Sequence, residues 1–118
     1  DGFIRLVSRI KEIIITGGFN VYPAEVEEAI AQHPDVVDVA AVGRPRQDGS
    51  EDVVGCVTLR DGAVLDPEGL KEFCRERLTR YKVPRTFYHF EDLARDHLGK
   101  IRRHQVRKDL LELLEAKA

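Results

Sequence analysis

The sequence predicts a small two-layer α+β domain, with a leading two-stranded unit followed by a sheet of roughly three strands packed by two or three helices. Three observations predict it. Apolar residues switch between strand-length runs, such as VVDVAAV at residues 36–42, and helical spacing, such as Val26, Ala29 and Ile30. Two prolines, Pro23 and Pro67, stand directly before such helical patterns, where a first-turn proline loses no hydrogen bond. The length, 118 residues, suits one domain with a modest core.

Phe3, Ile4 and Leu6 read as a short strand. Residues 8–11 then connect it to a second strand at Ile13, Ile14 and Ile15, which Gly17 and Gly18 end. A helix follows from Pro23, with Glu25, Glu27 and Glu28 complementing its positive end, and His33-Pro34 closes it. Residues 36–42 read as a central strand, and the turn-rich loop 43–50 leads to a partner strand at residues 53–59. Asp66 caps the next helix and Pro67 opens it. Leu70, Phe73, Cys74 and Leu78 form its buried stripe, and Tyr81-Lys82-Val83-Pro84 stops it. Residues 86–90 read as a third core strand. The last helix follows Lys100 and packs through Val106, Leu110, Leu113 and Leu114.

No apolar run approaches the length of a membrane span. The opening residues read as a strand entered mid-fold rather than a signal peptide. Cys56 and Cys74 have no ligand neighbours at metal-binding spacing, so they read as reduced core residues of a cytoplasmic protein, and no metal site is expected. Net charge is −2, but it is uneven: residues 75–108 hold eleven Lys/Arg against four Asp/Glu. One basic face beside an acidic remainder suits an anionic ligand such as phosphate. Nucleic acid is not the expected partner, because the segment lacks zinc-finger spacing and an RNP-type aromatic motif.

Within that segment lies His97-Leu98-Gly99-Lys100-Ile101-Arg102-Arg103. Gly99 allows Lys100 to be presented at a loop tip. Arg102, Arg103, Arg107 and Lys108 then crowd the first turns of a helix, the wrong end for cations unless an anion visits.

Three separated motifs carry a family resemblance. The stretch Arg9-Ile10-Lys11-Glu12-Ile13-Ile14-Ile15-Thr16-Gly17-Gly18-Phe19-Asn20-Val21-Tyr22-Pro23-Ala24-Glu25-Val26-Glu27 resembles the opening signature of the C-terminal domain of the adenylate-forming superfamily. Tyr81-Lys82-Val83-Pro84 and Gly99-Lys100-Ile101-Arg102-Arg103 match its later motifs in order. The wording Gly-Phe-Asn-Val-Tyr-Pro-Ala-Glu-Val-Glu is closest to the acyl-CoA synthetase branch, fatty-acid CoA ligases especially.

The resemblance implies that residues 1–118 form the mobile C-terminal lid of an ATP-dependent acyl-CoA ligase, whose large N-terminal domain is absent. ATP with Mg²⁺, a carboxylic (fatty) acid and CoA would be substrates of the parent enzyme, none held tightly by this domain, which alone should be inactive. Lys100 matches the lysine of the adenylation step. Arg9 matches a nucleotide-binding arginine, and Lys11 the hinge position. Gly18 and Arg75 match positions beside CoA. Glu25 and Glu27 fall on motif positions but need only be helix-start acids. The sequence departs from the family at Ser8, Ala94 and Leu98, none of which removes a reacting group. The alternatives are an adenylation domain loading a carrier protein, or a non-catalytic nucleotide- or nucleic-acid-binding module.

Overall fold

The computed structural model describes residues 13–117. Strands β1 (Ile14–Thr16) and β2 (Phe19–Val21) pair antiparallel with Thr16 opposite Phe19. The two residues between them, Gly17 and Gly18, both take positive φ, +55° and +84°. A two-residue hairpin needs that geometry to match strand twist, and glycine takes it without strain. A leading two-stranded unit is therefore present, but its second strand is Phe19–Val21, so Gly17-Gly18 joins the strands instead of ending the unit. The strand expected at Phe3 to Leu6 lies outside the described residues, as do Arg9 and Lys11.

Helix α1 (Pro23–Ala31) begins with proline in its first turn, and Tyr22 before it is extended. It buries Val26, Ala29 and Ile30, as expected from their spacing. At its end the backbone N–H of Asp35 donates to His33 Nδ1 (3.1 Å), turning the chain into β3 (Val36–Pro45). β3 pairs antiparallel with β4 (Glu51–Leu59). The pairing runs past the expected strand limits to Pro45 opposite Glu51, where a proline's missing donor ends the ladder at little cost. Near the other end the ladder shifts between Val36 and Asp38, and Asp38 N–H donates to the buried Thr58 hydroxyl instead.

Helix α2 (Pro67–Arg75) is capped as expected: the Asp66 carboxylate accepts from Gly69 N–H at 3.1 Å. It ends at Arg75, before Leu78, and a 3₁₀ turn (Arg80–Lys82) carries the chain to Pro84. β5 (Thr86–His89) then pairs parallel with β4, giving sheet order β3-β4-β5. A parallel neighbour needs a crossover, and the α2 segment supplies it. Helix α3 (Arg103–Lys117) closes the fold. It starts three residues later than Lys100, and Leu113, expected in its packing face, is exposed, while Val106 and Leu110 are fully buried.

The element inventory matches the expected mixed α+β class, but the layering differs. Val39, Ala41, Val53 and Val57 pack on the α1 and α2 side. Ala40, Val42, Val54 and Cys56 pack on the α3 side with Leu93, Val106 and Leu110. Strand alternation thus sends both faces of β3 and β4 into apolar packing, so the sheet is covered on both sides rather than one. Cys74 and Cys56 belong to opposite sides of the sheet and are unpaired thiols. Burial pushes Cys56 up to about 12 and Cys74 up to about 11, so both stay protonated.

Gly55 in β4 shows how tightly the face under α1 and α2 is packed. A Cβ there would stand 2.7 Å from the Phe87 ring and 3.3 Å from Ile30 Cδ1. Gly55→Ala should therefore destabilise the domain by about 2 kcal/mol. Urea denaturation would measure this; unchanged stability would mean that Phe87 can swing aside.

Candidate functional site

The loop 95–101 is built around Asp96. Its Oδ1 accepts from Leu98 N–H (2.8 Å) and Lys100 N–H (3.0 Å). Its own N–H donates to the Lys100 carbonyl (2.8 Å), and Gly99 N–H donates to the Asp96 carbonyl (3.0 Å). Gly99 at φ +86° makes that tight return possible. Arg95 and Ile101 bridge across the stem, and Arg102 N–H donates to the Ala94 carbonyl (2.8 Å). Arg95 also donates to the Gly99 carbonyl (2.8 Å) and pairs with the Asp38 carboxylate on β3. Lys100 is exposed at the tip, and its side chain has no partner among the described residues.

The crowd of cations behind Lys100 resolves differently from expectation. Arg103 forms a two-pronged pair with Glu27 (2.6 and 2.7 Å), and Glu27 also accepts from Ala41 N–H (2.9 Å). Arg107 donates to the Gly43 carbonyl (2.7 Å) and reaches Glu51 (3.4 Å). The wrong-end cations of α3 are thus partly internal fasteners. Glu27 is more than a helix-start acid: it joins α1 to α3. Glu25 likewise pairs with Lys82 (3.0 Å), and that hydrogen bond holds the Lys82 pKa above the ordinary lysine value. The three sequence motifs therefore meet through Glu25–Lys82 and Glu27–Arg103.

A second feature lies elsewhere. An open groove of about 880 Å³ is lined by Gly17, Phe19, Lys71, Arg75, Arg80 and Arg85, among others. Phe19 stacks on Tyr81 along it, with ring centroids 4.4 Å apart. Arg75 pairs with Glu72 and Lys71 with Glu68 on the α2 surface. Arg80 and Arg85 are exposed, and their side chains have no partner among the described residues. Gly18 sits in the turn beside Gly17, and a Cβ added to it would meet nothing within 4 Å. Its backbone torsion, rather than crowding inside this domain, requires glycine there.

Arg75 lines the same groove as Gly17 of the hairpin, and Lys100 is not among the residues that line it. The groove reaches Asp52 and Val53 at the start of β4, whereas the Lys100 loop is fastened to Asp38. Along β3, Asp38 and the partner of Asp52, Arg44, are six residues apart, about 20 Å of strand. Lys71, Arg80 and Arg85 were not singled out from sequence. The excess of basic residues across 75–108 was the signal for two of them, but the fold decides which cations share a face. Among the described residues no group of three or more His, Cys, Asp or Glu could hold a metal ion, and no helix is long and apolar enough to cross a membrane.

Residues 25–100 match the model of the AMP-binding enzyme C-terminal domain. Over all 118 residues the chain is 42% identical to a long-chain-fatty-acid–CoA ligase of Salmonella typhimurium and covers 21% of that protein. A solved Mycobacterium tuberculosis fatty acyl CoA synthetase superposes with a TM-score of 0.79 at 37% identity, over 86% of this chain and 20% of that one. ATP-bound MatB from Rhodopseudomonas palustris superposes with a TM-score of 0.80 at 33% identity, over 87% and 20%. The chain thus spans about a fifth of the length of the proteins it matches.

Proposed function

Since the chain belongs to the AMP-binding enzyme C-terminal domain family, we propose that it is the mobile lid of an ATP-dependent acyl-CoA ligase, working with a large N-terminal domain and acting in turn on two half-reactions. In the first, a carboxylate oxygen of a fatty acid attacks the α-phosphorus of ATP and pyrophosphate leaves. Both reacting groups are anionic, and the Lys100 ammonium bridges them and stabilises the charge that builds there. In the second, the CoA thiol attacks the acyl carbon and AMP leaves. Here the Gly17-Gly18 turn lies beside the pantetheine arm, and Arg75, Arg80 and Arg85 face the CoA phosphates. Arg9 contacts the nucleotide, and Lys11 is the hinge on which the domain turns.

One observation carries this reading: the basic groove is lined from the β1–β2 hairpin, α2 and the start of β4, while the Lys100 loop is fastened to Asp38 and contributes no residue to it. A rigid domain cannot present both to one reaction centre at once, so serving both steps requires reorientation. The apolar covering of both sheet faces supports such movement as a rigid body. On this reading the acid specificity belongs to the N-terminal domain of the parent enzyme.

The test uses the full-length enzyme with Arg80→Glu and Arg85→Glu combined. The KM for CoA should rise about tenfold or more when acyl-adenylate is supplied. Acid-dependent release of pyrophosphate from ATP, without CoA, should be unchanged. An unaltered KM for CoA would overturn the assignment of the groove.

A further inference from the structure

We infer that Asp96 and Arg95 are positioning residues for the adenylation step, holding the backbone that carries Lys100. The inference rests on the proposed role of Lys100 and extends it to two side chains that never touch substrate.

An exposed lysine on a long flexible stem is a poor catalyst unless its starting point is fixed, because geometric errors of about 1 Å can lower a rate a hundredfold. Here the stem is free and the backbone is held. The Asp96 carboxylate accepts from two N–H groups of the tip, one belonging to Lys100 itself. The Asp96 N–H meets the Lys100 carbonyl, so both peptide groups of Lys100 are bound to one residue. Arg95 supplies the outer clamp. One of its nitrogens donates to the Gly99 carbonyl and another meets Asp38, which ties the tip to β3. The loop thus takes its orientation from the central sheet. When the domain turns, Lys100 turns with it as part of a rigid body.

The acceptor function can be separated from the charge. Asn at position 96 keeps an oxygen that can accept from Leu98 and Lys100, but removes the negative charge; Ala removes both. In the full-length enzyme, Asp96→Ala should lower adenylation, read as fatty-acid-dependent pyrophosphate release, about tenfold or more. Thioester formation from supplied acyl-adenylate and CoA should remain normal, which also shows that the variant is folded. Asp96→Asn should restore adenylation to within about twofold of the parent. Arg95→Met, which frees the Gly99 carbonyl, should show the same split between half-reactions and serves if Asp96→Ala does not fold.

Full adenylation by Asp96→Ala would overturn the inference, as would an Asn variant as impaired as Ala, or equal loss of both half-reactions in Arg95→Met. Lys100→Ala run alongside separates the two levels. If it is crippled while Asp96→Ala is not, only the positioning role falls. If Lys100→Ala adenylates normally, the role of the lysine falls with it.

Discussion

Replacing Lys100 with alanine in the full-length enzyme should lower acyl-adenylate formation by about 10²- to 10³-fold, the range seen when a transition-state charge stabiliser is removed. Thioester formation from supplied acyl-adenylate should be nearly unchanged. The asymmetry follows from placement. Lys100 sits on the loop fastened to Asp38, while the groove with Arg75 and Arg85 lies near the start of β4. On the proposed reading, the pose that brings the groove to CoA would carry Lys100 away from the reacting carbon. The lysine is also available: its ammonium has no ion pair among the described residues to give up before it meets substrate. Arg103, three residues on, is engaged with Glu27 and could not substitute. Lys100→Arg should rescue little, because a planar guanidinium differs from an ammonium in shape and reach. Acid-dependent pyrophosphate release and acyl transfer to CoA, measured separately, check this. Equal loss in both would rule out a lysine confined to the first step.

Local chemistry made part of this legible in the sequence. Pro23 and the Asp66-Pro67 pair announce helix starts because their effects act within one turn. The runs at residues 36–42 and 53–59 announce strands because apolar residues on both faces leave few other structures. The strand Phe19–Val21 went unrecognised although its signal was present: two glycines between short apolar runs favour a hairpin. The exposed loop tip at Lys100 was legible because Gly99 permits a tight return beside it. Other features depend on residues brought together from far along the chain. Glu27 meets Arg103 across 76 residues, Arg95 meets Asp38 across 57, and Arg107 meets Glu51 across 56. No local pattern specifies such partners, and the cations of α3 could be read as solvent- or phosphate-facing until their carboxylates were placed. The second covered face of the sheet has the same origin, since residues 36–42 do not reveal which helix covers which side.

The Glu27–Arg103 pair should prove a sensitive polar contact in the fold. Both side chains are largely buried, with 17% and 26% of their surfaces exposed. Glu27→Ala removes the two-pronged carboxylate contact of Arg103 and the side-chain acceptor of Ala41 N–H. The expected loss is about 2 kcal/mol, the scale of losing charge-assisted hydrogen bonds in a partly buried site. That would lower Tm by roughly 10 °C or more in a domain of this size. Glu27→Gln keeps an oxygen for Ala41 or Arg103 and should lose less. Replacing both residues by leucine should recover part of the loss, because apolar side chains of similar volume can pack there without a charge to desolvate. Urea denaturation of the 118-residue chain distinguishes these outcomes, and a Glu27→Ala loss within about 0.5 kcal/mol would mark the pair as an ordinary surface contact. The pair's position gives it a second consequence. Arg95–Asp38 fastens the loop on one side of Lys100 and Glu27–Arg103 fastens the chain on the other. Glu27→Ala should therefore impair adenylation beyond its effect on folding. In fully folded enzyme at low temperature, the adenylation rate should still fall more than the thioester rate if, as proposed, only the first step depends on where Lys100 is aimed.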